Sequence, residues 1–222
     1  MYNRTYVNNN GLLSFSREIP EMDPVTFPSY RNEDLIAPLW TDLHDGVYYY
    51  QEYTTGYVLT RATEDIRRYY PGRGFNASWA FVATWDFVKN KNAIQFQVVL
   101  ISDDNFSFIL MNYGDISEID FPVEAGYDTV GSTHYFVIPG SNHGNLIPNL
   151  KTTSNVNVPG RWAFSANQDT VIGLQMRVSS YLNLSENVTF LLEKLKYELV
   201  RRNLTSDVKL TVRSVKKINS IK

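Results

Sequence analysis

Three histidines are the residues of this chain best suited to acid–base chemistry, and they stand at positions 44, 134 and 143. None of them belongs to a His-Glu-X-X-His metal motif, and the sequence contains neither a phosphate-binding glycine loop nor a Gly-X-Ser-X-Gly nucleophile elbow. The absence of cysteine also excludes thiol catalysis, disulfides and cysteine-ligated metal. The motifs therefore predict a protein that is not an enzyme and holds no cofactor, although a Ser-His-Asp set assembled only by folding stays open.

Two short clusters of polar residues could present oxygen or nitrogen ligands to a cation, namely Asp42, His44 and Asp45, and Asp103, Asp104 and Asn105. Neither spacing matches a defined calcium-binding loop. Short polar side chains at turns commonly accept hydrogen bonds from their own backbone. We therefore interpret both clusters as turn residues and predict no metal site.

Aromatic residues make up 14% of the chain and could form contact surfaces. The four tryptophans, which could stack on sugar rings, are Trp40, Trp79, Trp85 and Trp162. Their positions beside small and aliphatic residues favour core packing instead. Tyr48, Tyr49 and Tyr50 differ, because three consecutive residues of a strand cannot all point inward. We expect at least one of these tyrosines at the surface, where tyrosine is a common contact residue.

The elements that position these residues are mostly β-strands, and the clearest of them form a hairpin over residues 92–113. Apolar residues alternate with polar ones from Ile94 to Leu100, a turn at Ser102–Asn105 interrupts them, and the period of two resumes from Phe106 to Leu110. Both arms also carry apolar residues on their second face. This pattern places the hairpin in the middle of a sheet that is partly covered on both faces.

Other segments complete a predicted sandwich. Strand patterns occur in a hairpin around Asn10-Gly11, in residues 36–42, 47–52, 57–60, 79–85 and 133–138, and in a closing strand that ends at Phe164. One helix is predicted over residues 62–70, with Pro71-Gly72 ending it, and a turn is predicted at residues 125–128. The fold class that follows is mainly β, an antiparallel β-sandwich-like domain followed by a small β-α-β unit.

The pattern of the chain changes near Asn167. Alternating apolar residues from Ile172 to Val178, an amphipathic helix from Ser185 to Asn203 and a strand from Val208 to Val212 predict the β-α-β unit. About 50 residues cannot build much core alone, so we expect this unit to dock elsewhere or to be half of a larger domain. The predicted domains are residues 1–167 and 168–222.

Charge and hydropathy argue against nucleic-acid binding and against a membrane-spanning segment. The formal net charge is −2, without long blocks of one sign, so the sequence offers no electrostatic surface for nucleic acid. No run of 18 apolar residues is present, which predicts that the chain does not span a membrane.

The pattern Asn-X-Ser/Thr is more frequent than composition predicts. With 20 Asn and 33 Ser or Thr in 222 residues, chance gives about three such patterns, and the chain contains six, at Asn3, Asn76, Asn105, Asn183, Asn187 and Asn203. All of them avoid the centres of predicted strands, so we expect secretion and N-glycosylation at several of these asparagines. Because no apolar segment follows Met1, we expect a signal peptide and part of the first domain to be missing from the N terminus.

Seven segments occur in the same order as in one known extracellular family: Tyr6–Phe15, Ile36–Asp42, Trp79–Trp85, Phe96–Leu100, Phe106–Tyr113, Ala125–Asp128 and Asn155–Phe164. Over about 160 residues the chain thereby resembles the nidogen-like (NIDO) domain, and within that family the alpha-tectorin-like members most of all. It departs from the family pattern at Leu39, where an aromatic residue is usual. It also has only six residues before Val7, where the family has further strand sequence.

The resemblance implies a secreted or cell-surface matrix protein that acts in cell–matrix adhesion or matrix assembly. It implies partners among extracellular matrix or cell-surface proteins and glycans, and it implies no catalytic residues. From the residues alone, a second function stays open: a carbohydrate-binding β-sandwich module that uses exposed aromatic residues and could depend on Ca²⁺.

Overall fold

The computed structural model describes residues 2–44, 46–89, 92–167 and 192. The chain divides into two compact units, the first made of residues 1–65 and 75–167 and the second of residues 66–74 and 168–222. The predicted β-α-β unit and its helix lie outside the described residues, apart from residue 192. In the second unit, the described segment is the end of a helix and the turn after it, where the Arg73 guanidinium lies 5.6 Å from the centre of the Tyr70 ring.

The described residues form ten strands and one α-helix, with short 3-10 turns at Val130–Ser132 and Ile147–Lys151. In chain order the strands and helix are β1 Tyr6–Asn8, β2 Leu12–Ser14, β3 Leu35–Trp40, β4 Val47–Tyr53, α1 Tyr57–Tyr69, β5 Trp79–Lys89, β6 Asn92–Ser102, β7 Ser107–Ile116, β8 Glu124–Asp128, β9 Tyr135–Val137 and β10 Arg161–Ser165. Two five-stranded sheets result, in the orders β1-β2-β3-β8-β9 and β10-β7-β6-β5-β4. Every pairing within them is antiparallel, which confirms the predicted mainly β, sandwich-like fold.

The two sheets bury their inner faces against each other in one apolar core. The first sheet contributes Leu13 and Leu39, and the second contributes Met111 from β7. Trp85 and Phe96 stack at the centre with 5.0 Å between ring centres, and both side chains are buried. Each large side chain buried in this way stabilises the fold by about 1.5–3 kcal/mol.

The β6–β7 hairpin confirms the strongest prediction from the sequence. β6 pairs with β5 on one side and with β7 on the other, so it occupies the middle of the second sheet. Its second face is also covered, because Ile101 and Phe108 are buried and the Phe108 ring meets Phe75 edge to face at 5.0 Å. The hairpin predicted around Asn10-Gly11 is confirmed as well, as β1 and β2.

Two local predictions were wrong. Residues 57–60, predicted as a strand, form the first turn of α1, because the Gly56 carbonyl accepts hydrogen bonds from the backbone N–H groups of Leu59 and Thr60. Residues 125–128, predicted as a turn, belong to strand β8. Gly126 occurs there because a Cβ atom on it would lie 1.9 Å from the Phe136 carbonyl oxygen, so its glycine marks close strand packing and not a turn.

The outer face of the first sheet is covered by its own small apolar cluster. Ile19 and Phe27, from the proline-rich connection between β2 and β3, pack there with Leu12 and Trp40. Glu124 is also buried on β8, opposite Trp40, and its Oε1 atom lacks a hydrogen-bond partner within the described residues. Burial raises the pKa of the Glu124 carboxyl from 4.5 to about 7.

The turn between β1 and β2 joins the two sheets. Asn10 is buried and its Oδ1 atom accepts a hydrogen bond from the Leu43 backbone N–H at 3.0 Å. The Trp85 indole donates a hydrogen bond to the Asn8 carbonyl at 3.0 Å, which ties strand β5 of the second sheet to β1. Gly11 has a φ of 76°, and a Cβ atom at this position would lie 2.0 Å from the Leu39 carbonyl oxygen. Only glycine fits there.

We expect Asn10→Ala to destabilise the protein by about 1–3 kcal/mol, because the buried Leu43 N–H would lose its acceptor. Urea unfolding followed by tryptophan fluorescence measures this change. Asn9→Ala is the matched control, since the neighbouring Asn9 side chain is exposed and its removal should change the free energy of unfolding by less than about 0.5 kcal/mol. Equal effects of the two substitutions would contradict the assigned role of Asn10.

Glu124 should make stability fall as pH rises. Because its pKa is raised from 4.5 to about 7 in the folded state, the folded protein holds this proton more tightly than the unfolded chain between those values. Deprotonation across that window should cost on the order of 3 kcal/mol. Glu124→Gln should remove this part of the pH dependence and leave the variant more stable than the parent at pH 8.

Urea unfolding at pH 5 and pH 8 measures the difference, with Glu118→Gln as a control at an exposed glutamate. A parent-like loss of stability between the two pH values in Glu124→Gln would contradict this assignment.

Candidate adhesive surface on strand β4

Strand β4 forms one edge of the second sheet and carries the three consecutive tyrosines. It pairs with β5 over all seven of its residues, from Val47 opposite Asp86 to Tyr53 opposite Ala80. Tyr48, Tyr49 and Tyr50 are 40%, 55% and 60% exposed. All three tyrosines are therefore surface residues, whereas the sequence required this of only one. We call the exposed residues Val47–Glu52 the tyrosine edge.

Two of the tyrosines lie on the side of the sheet that faces the core. Tyr48 and Tyr50 are opposite Trp85 and Ala83 in the strand register, and opposed residues of antiparallel strands share a face. The Tyr50 ring lies 5.8 Å from the Phe81 ring, which in turn stacks on Trp79 at 6.3 Å. An aromatic row thus continues from the core to the surface.

The carboxylate of Glu52 ends this aromatic row. The Trp79 indole donates a hydrogen bond of 2.6 Å to Glu52 Oε1. Trp79 is half-buried, while Trp40, Trp85 and Trp162 are buried, so three of the four tryptophans confirm the predicted core packing. The sequence pattern did not indicate that Trp79 and Glu52 lie together at this surface, because only the strand register brings them into contact.

The third tyrosine begins a polar row on the outer side of the second sheet. Tyr49 is opposite Thr84, and one residue of each further strand continues the row: Gln97, Asn112 and Arg161. Side-chain hydrogen bonds join Thr84 to Gln97 at 2.9 Å, Gln97 to Asn112 at 3.1 Å and Asn112 to Arg161 at 2.8 Å. The row therefore holds its amide groups in fixed orientations.

Asp65 of helix α1 is joined to this polar row by a partly buried ion pair. Arg161 Nη1 lies 2.7 Å from Asp65 Oδ2, and Asp65 also receives Arg61 Nε at 3.3 Å. The proximity of Asp65 raises the pKa of Arg61. Sequence reasoning missed the Asp65–Arg161 pair, because 96 residues separate its partners in the chain.

The histidine and acidic clusters have ordinary structural partners. The His44 ring contacts Asp42 at 3.0 Å and the His143 ring contacts Asn142 at 2.7 Å, so neither of these bonds joins a histidine to a serine hydroxyl. Asp103 Oδ1 accepts the backbone N–H groups of Asn105 and Phe106, as predicted for a turn residue. Asp45 lies outside the described residues.

No group of three or more His, Cys, Asp or Glu side chains in the described ranges could hold a metal ion. Three of the predicted glycosylation sites, Asn3, Asn76 and Asn105, are exposed, and the other three, Asn183, Asn187 and Asn203, lie outside the described residues. Within residues 2–44, 46–89, 92–167 and 192, no helix has the length and apolar composition needed to cross a bilayer.

The sequence is similar to one domain family and to several known proteins. The family model of the nidogen-like domain matches residues 3–168. Human alpha-tectorin is 35% identical over an alignment of 187 positions that covers 73% of this chain and 9% of that protein. Dendrite extension defective protein 1 of Caenorhabditis elegans is 28% identical, over 77% of this chain and 16% of that protein, and mouse nidogen-2 is 28% identical, over 73% and 14%.

The chain therefore corresponds to less than a fifth of the length of these relatives. No solved structure matches it. Alpha-tectorin and the nidogens are extracellular matrix proteins, and this chain is accordingly extracellular. The matched residues include both sheets and the tyrosine edge. The chain is an extracellular matrix module that belongs to the nidogen-like domain family.

Proposed function

We propose that this chain is a non-enzymatic module of cell–matrix adhesion or matrix assembly, with matrix or cell-surface proteins or glycans as its partners. The observation that carries this proposal is the tyrosine edge. Four consecutive large side chains, Val47 to Tyr50, are 40–62% exposed on one edge strand. Such a concentration of exposed aromatic area is unusual unless it serves in contacts.

The chemistry of the tyrosine edge suits adhesion. A tyrosine ring offers a large apolar area and a hydroxyl group at a low cost in conformational entropy, which makes tyrosine frequent among contact residues. The backbone of an edge strand adds unpaired donors and acceptors beside those rings. Glu52 supplies a carboxylate at the same surface. Protein and glycan partners could both use this combination.

The proposed extent of the module is residues 1–167, with residues 168–222 as a separate C-terminal unit. The Asn167 side chain binds the tip of the β6–β7 hairpin, where its Oδ1 atom accepts the Ser107 backbone N–H at 2.7 Å and its amide donates to the Asn105 carbonyl at 2.9 Å. The family match ends one residue later, at residue 168. Both observations support a boundary at this position.

A carbohydrate-binding module is the alternative function, and one observation favours it. Trp79, Phe81 and Tyr50 form a partly exposed aromatic row with the Glu52 carboxylate beside it. Aromatic faces with adjacent hydrogen-bonding groups can bind sugar rings. A glycan array probed with and without EDTA separates the two functions, since selective glycan binding lost with EDTA would favour the calcium-dependent alternative.

Glycosylation is the first test of the extracellular proposal. Expression through a eukaryotic secretory pathway with an added signal peptide should give a protein that loses mass on glycosidase treatment. Asn76→Gln and Asn105→Gln should each remove one glycan from the intact mass, because both asparagines are exposed. Asn9→Gln is the control, since Asn9 is exposed but lies outside the glycosylation pattern. A secreted product at the unmodified 25.6 kDa would contradict glycosylation.

Adhesion through the tyrosine edge is tested by Tyr49→Ala. Loss of this ring should weaken binding to an immobilised extracellular matrix preparation by about tenfold, which is typical of a contact tyrosine. The melting temperature should stay within about 2 °C of the parent, because Tyr49 is exposed.

Tyr135→Ala is the matched control for Tyr49→Ala. Tyr135 lies on edge strand β9 and is 49% exposed, close to the value for Tyr49, but belongs to the other sheet. Biolayer interferometry with both variants measures the difference. Equal binding by the parent and Tyr49→Ala would contradict the proposal that the tyrosine edge is the adhesive surface.

A further inference from the structure

The edge strands of this sandwich differ in how well they are protected against pairing with another chain. Among the described residues, the two sheets end at β1 and β9 and at β10 and β4. An edge strand presents unpaired backbone N–H and C=O groups that can pair with another chain, and natural proteins usually shorten, charge or cover such edges.

Three of the edges carry a recognisable protection. Strands β1 and β9 are only three residues long. The edge of β10 is covered by the Asn155 side chain, whose Oδ1 atom accepts the Ala163 N–H and whose amide donates to the Ala163 carbonyl, both at 2.8 Å. Ser154 adds a parallel bridge to Arg161 beside it. The Asn155 amide thus occupies the place that a neighbouring strand would take.

Within the described ranges, the edge of β4 has none of these protections. The strand is seven residues long and pairs with β5 without a bulge. Its sequence, Val-Tyr-Tyr-Tyr-Gln-Glu-Tyr, contains no lysine, arginine or proline, and Glu52 is its one charged residue. Six of its seven side chains are exposed. A long, aromatic edge with a single charged side chain is expected to pair with another strand.

We propose that β4 pairs antiparallel with β4 of a second copy of this chain, so that two five-stranded sheets become one continuous sheet. This inference rests on the proposed matrix function and names one of its partners. The register follows from symmetry. In a two-fold pairing each residue must oppose one that points to the same face, and only a two-fold axis at Tyr50 pairs all seven residues of Val47–Tyr53.

The side chains are self-complementary in this register. On the inner side, Tyr50 opposes Tyr50 of the second copy, and Tyr48 opposes Glu52 of the second copy, so a hydroxyl donor meets a carboxylate. On the outer side, Tyr49 opposes Gln51. Like charges do not meet, because the two copies of Glu52 lie at opposite ends of the paired segment. A second copy therefore satisfies this edge without any further partner.

The pairing should be weak in solution and effective in an array. A single strand pair buries less area than the roughly 1,200–2,000 Å² of a stable complex. Modules held close together in a matrix gain from a high effective concentration, which can multiply avidity by about 10²–10⁴. Contact between copies through β4 would thus assist matrix assembly without making the free protein a permanent dimer.

Cysteine cross-linking tests the register, because the chain contains no native cysteine. Directly opposed residues of antiparallel strands have Cα atoms about 4.5–5.5 Å apart, within the range of about 4.4–6.8 Å that a disulfide allows. Tyr50→Cys in the full chain should therefore form a covalent dimer under mild oxidation. Tyr49→Cys is the matched control, because its two copies would lie about 8 Å apart, too far for a disulfide.

Non-reducing electrophoresis at several protein concentrations should show dimer formation at least tenfold faster for Tyr50→Cys. Equal rates for the two variants, or a lack of dimer in both, would overturn the pairing. Sedimentation velocity gives a second readout, in which the parent should dimerise with increasing concentration. Tyr50→Lys should weaken this association at least tenfold, because two lysines would then oppose each other. An unchanged association would also overturn the pairing.

The pairing and the proposed matrix function can fail separately. If Tyr50→Cys does not cross-link but Tyr49→Ala still reduces binding to matrix, the self-pairing is wrong and the matrix function stands. If Tyr50→Cys cross-links selectively while the parent does not bind matrix, the self-pairing stands and the proposed matrix binding is wrong.

Discussion

The hydrogen bond from the Trp85 indole to the Asn8 carbonyl is the interaction on which the rest of the structure depends. It joins strand β5 of the second sheet to the first strand, 77 residues away in the chain. Around it, Asn10 accepts the Leu43 N–H, and Gly11 packs where only a hydrogen fits. The turn between β1 and β2 therefore fixes the distance between the sheets. The hydrogen bond between Leu43 and Asn10 is buried, in a site of low dielectric where a lost partner is costly.

Three of the seven segments that resemble the nidogen-like family meet at this turn. Tyr6–Phe15 provides the turn itself, Trp79–Trp85 ends in the tryptophan that binds it, and Phe96–Leu100 begins with the ring that stacks on Trp85. Segments that seem unrelated along the chain thus form one contact region in the fold. The family pattern describes how the two sheets are joined, whereas the tyrosine edge lies outside those seven segments.

Period-two alternation was enough to predict the central hairpin and most of the second sheet, because those strands bury one face more strongly than the other. The sequence pattern gave a wrong prediction where a residue type is compatible with more than one local structure. Gly126 indicates a turn by composition, but it permits the close approach of β9. The sequence predicted the exposure of at least one of the three tyrosines, since three neighbours cannot all point inward. The exposure of all three depends on the position of β4 at the end of its sheet. The protection of β10 by Asn155 was not, because it depends on which strands end each sheet and on contacts between distant residues.

The central claim is that a rigid sandwich presents one unprotected strand, β4, as its contact surface. Hydrogen–deuterium exchange of the glycosylated full chain tests this claim directly, by comparing the peptides over residues 47–53 and 161–165 with and without an immobilised matrix preparation. The account predicts that matrix slows exchange in residues 47–53 and leaves residues 161–165 unchanged, because the Asn155 side chain already occupies that edge. Slower exchange confined to β10 or to the first sheet would contradict it and place the contact surface elsewhere.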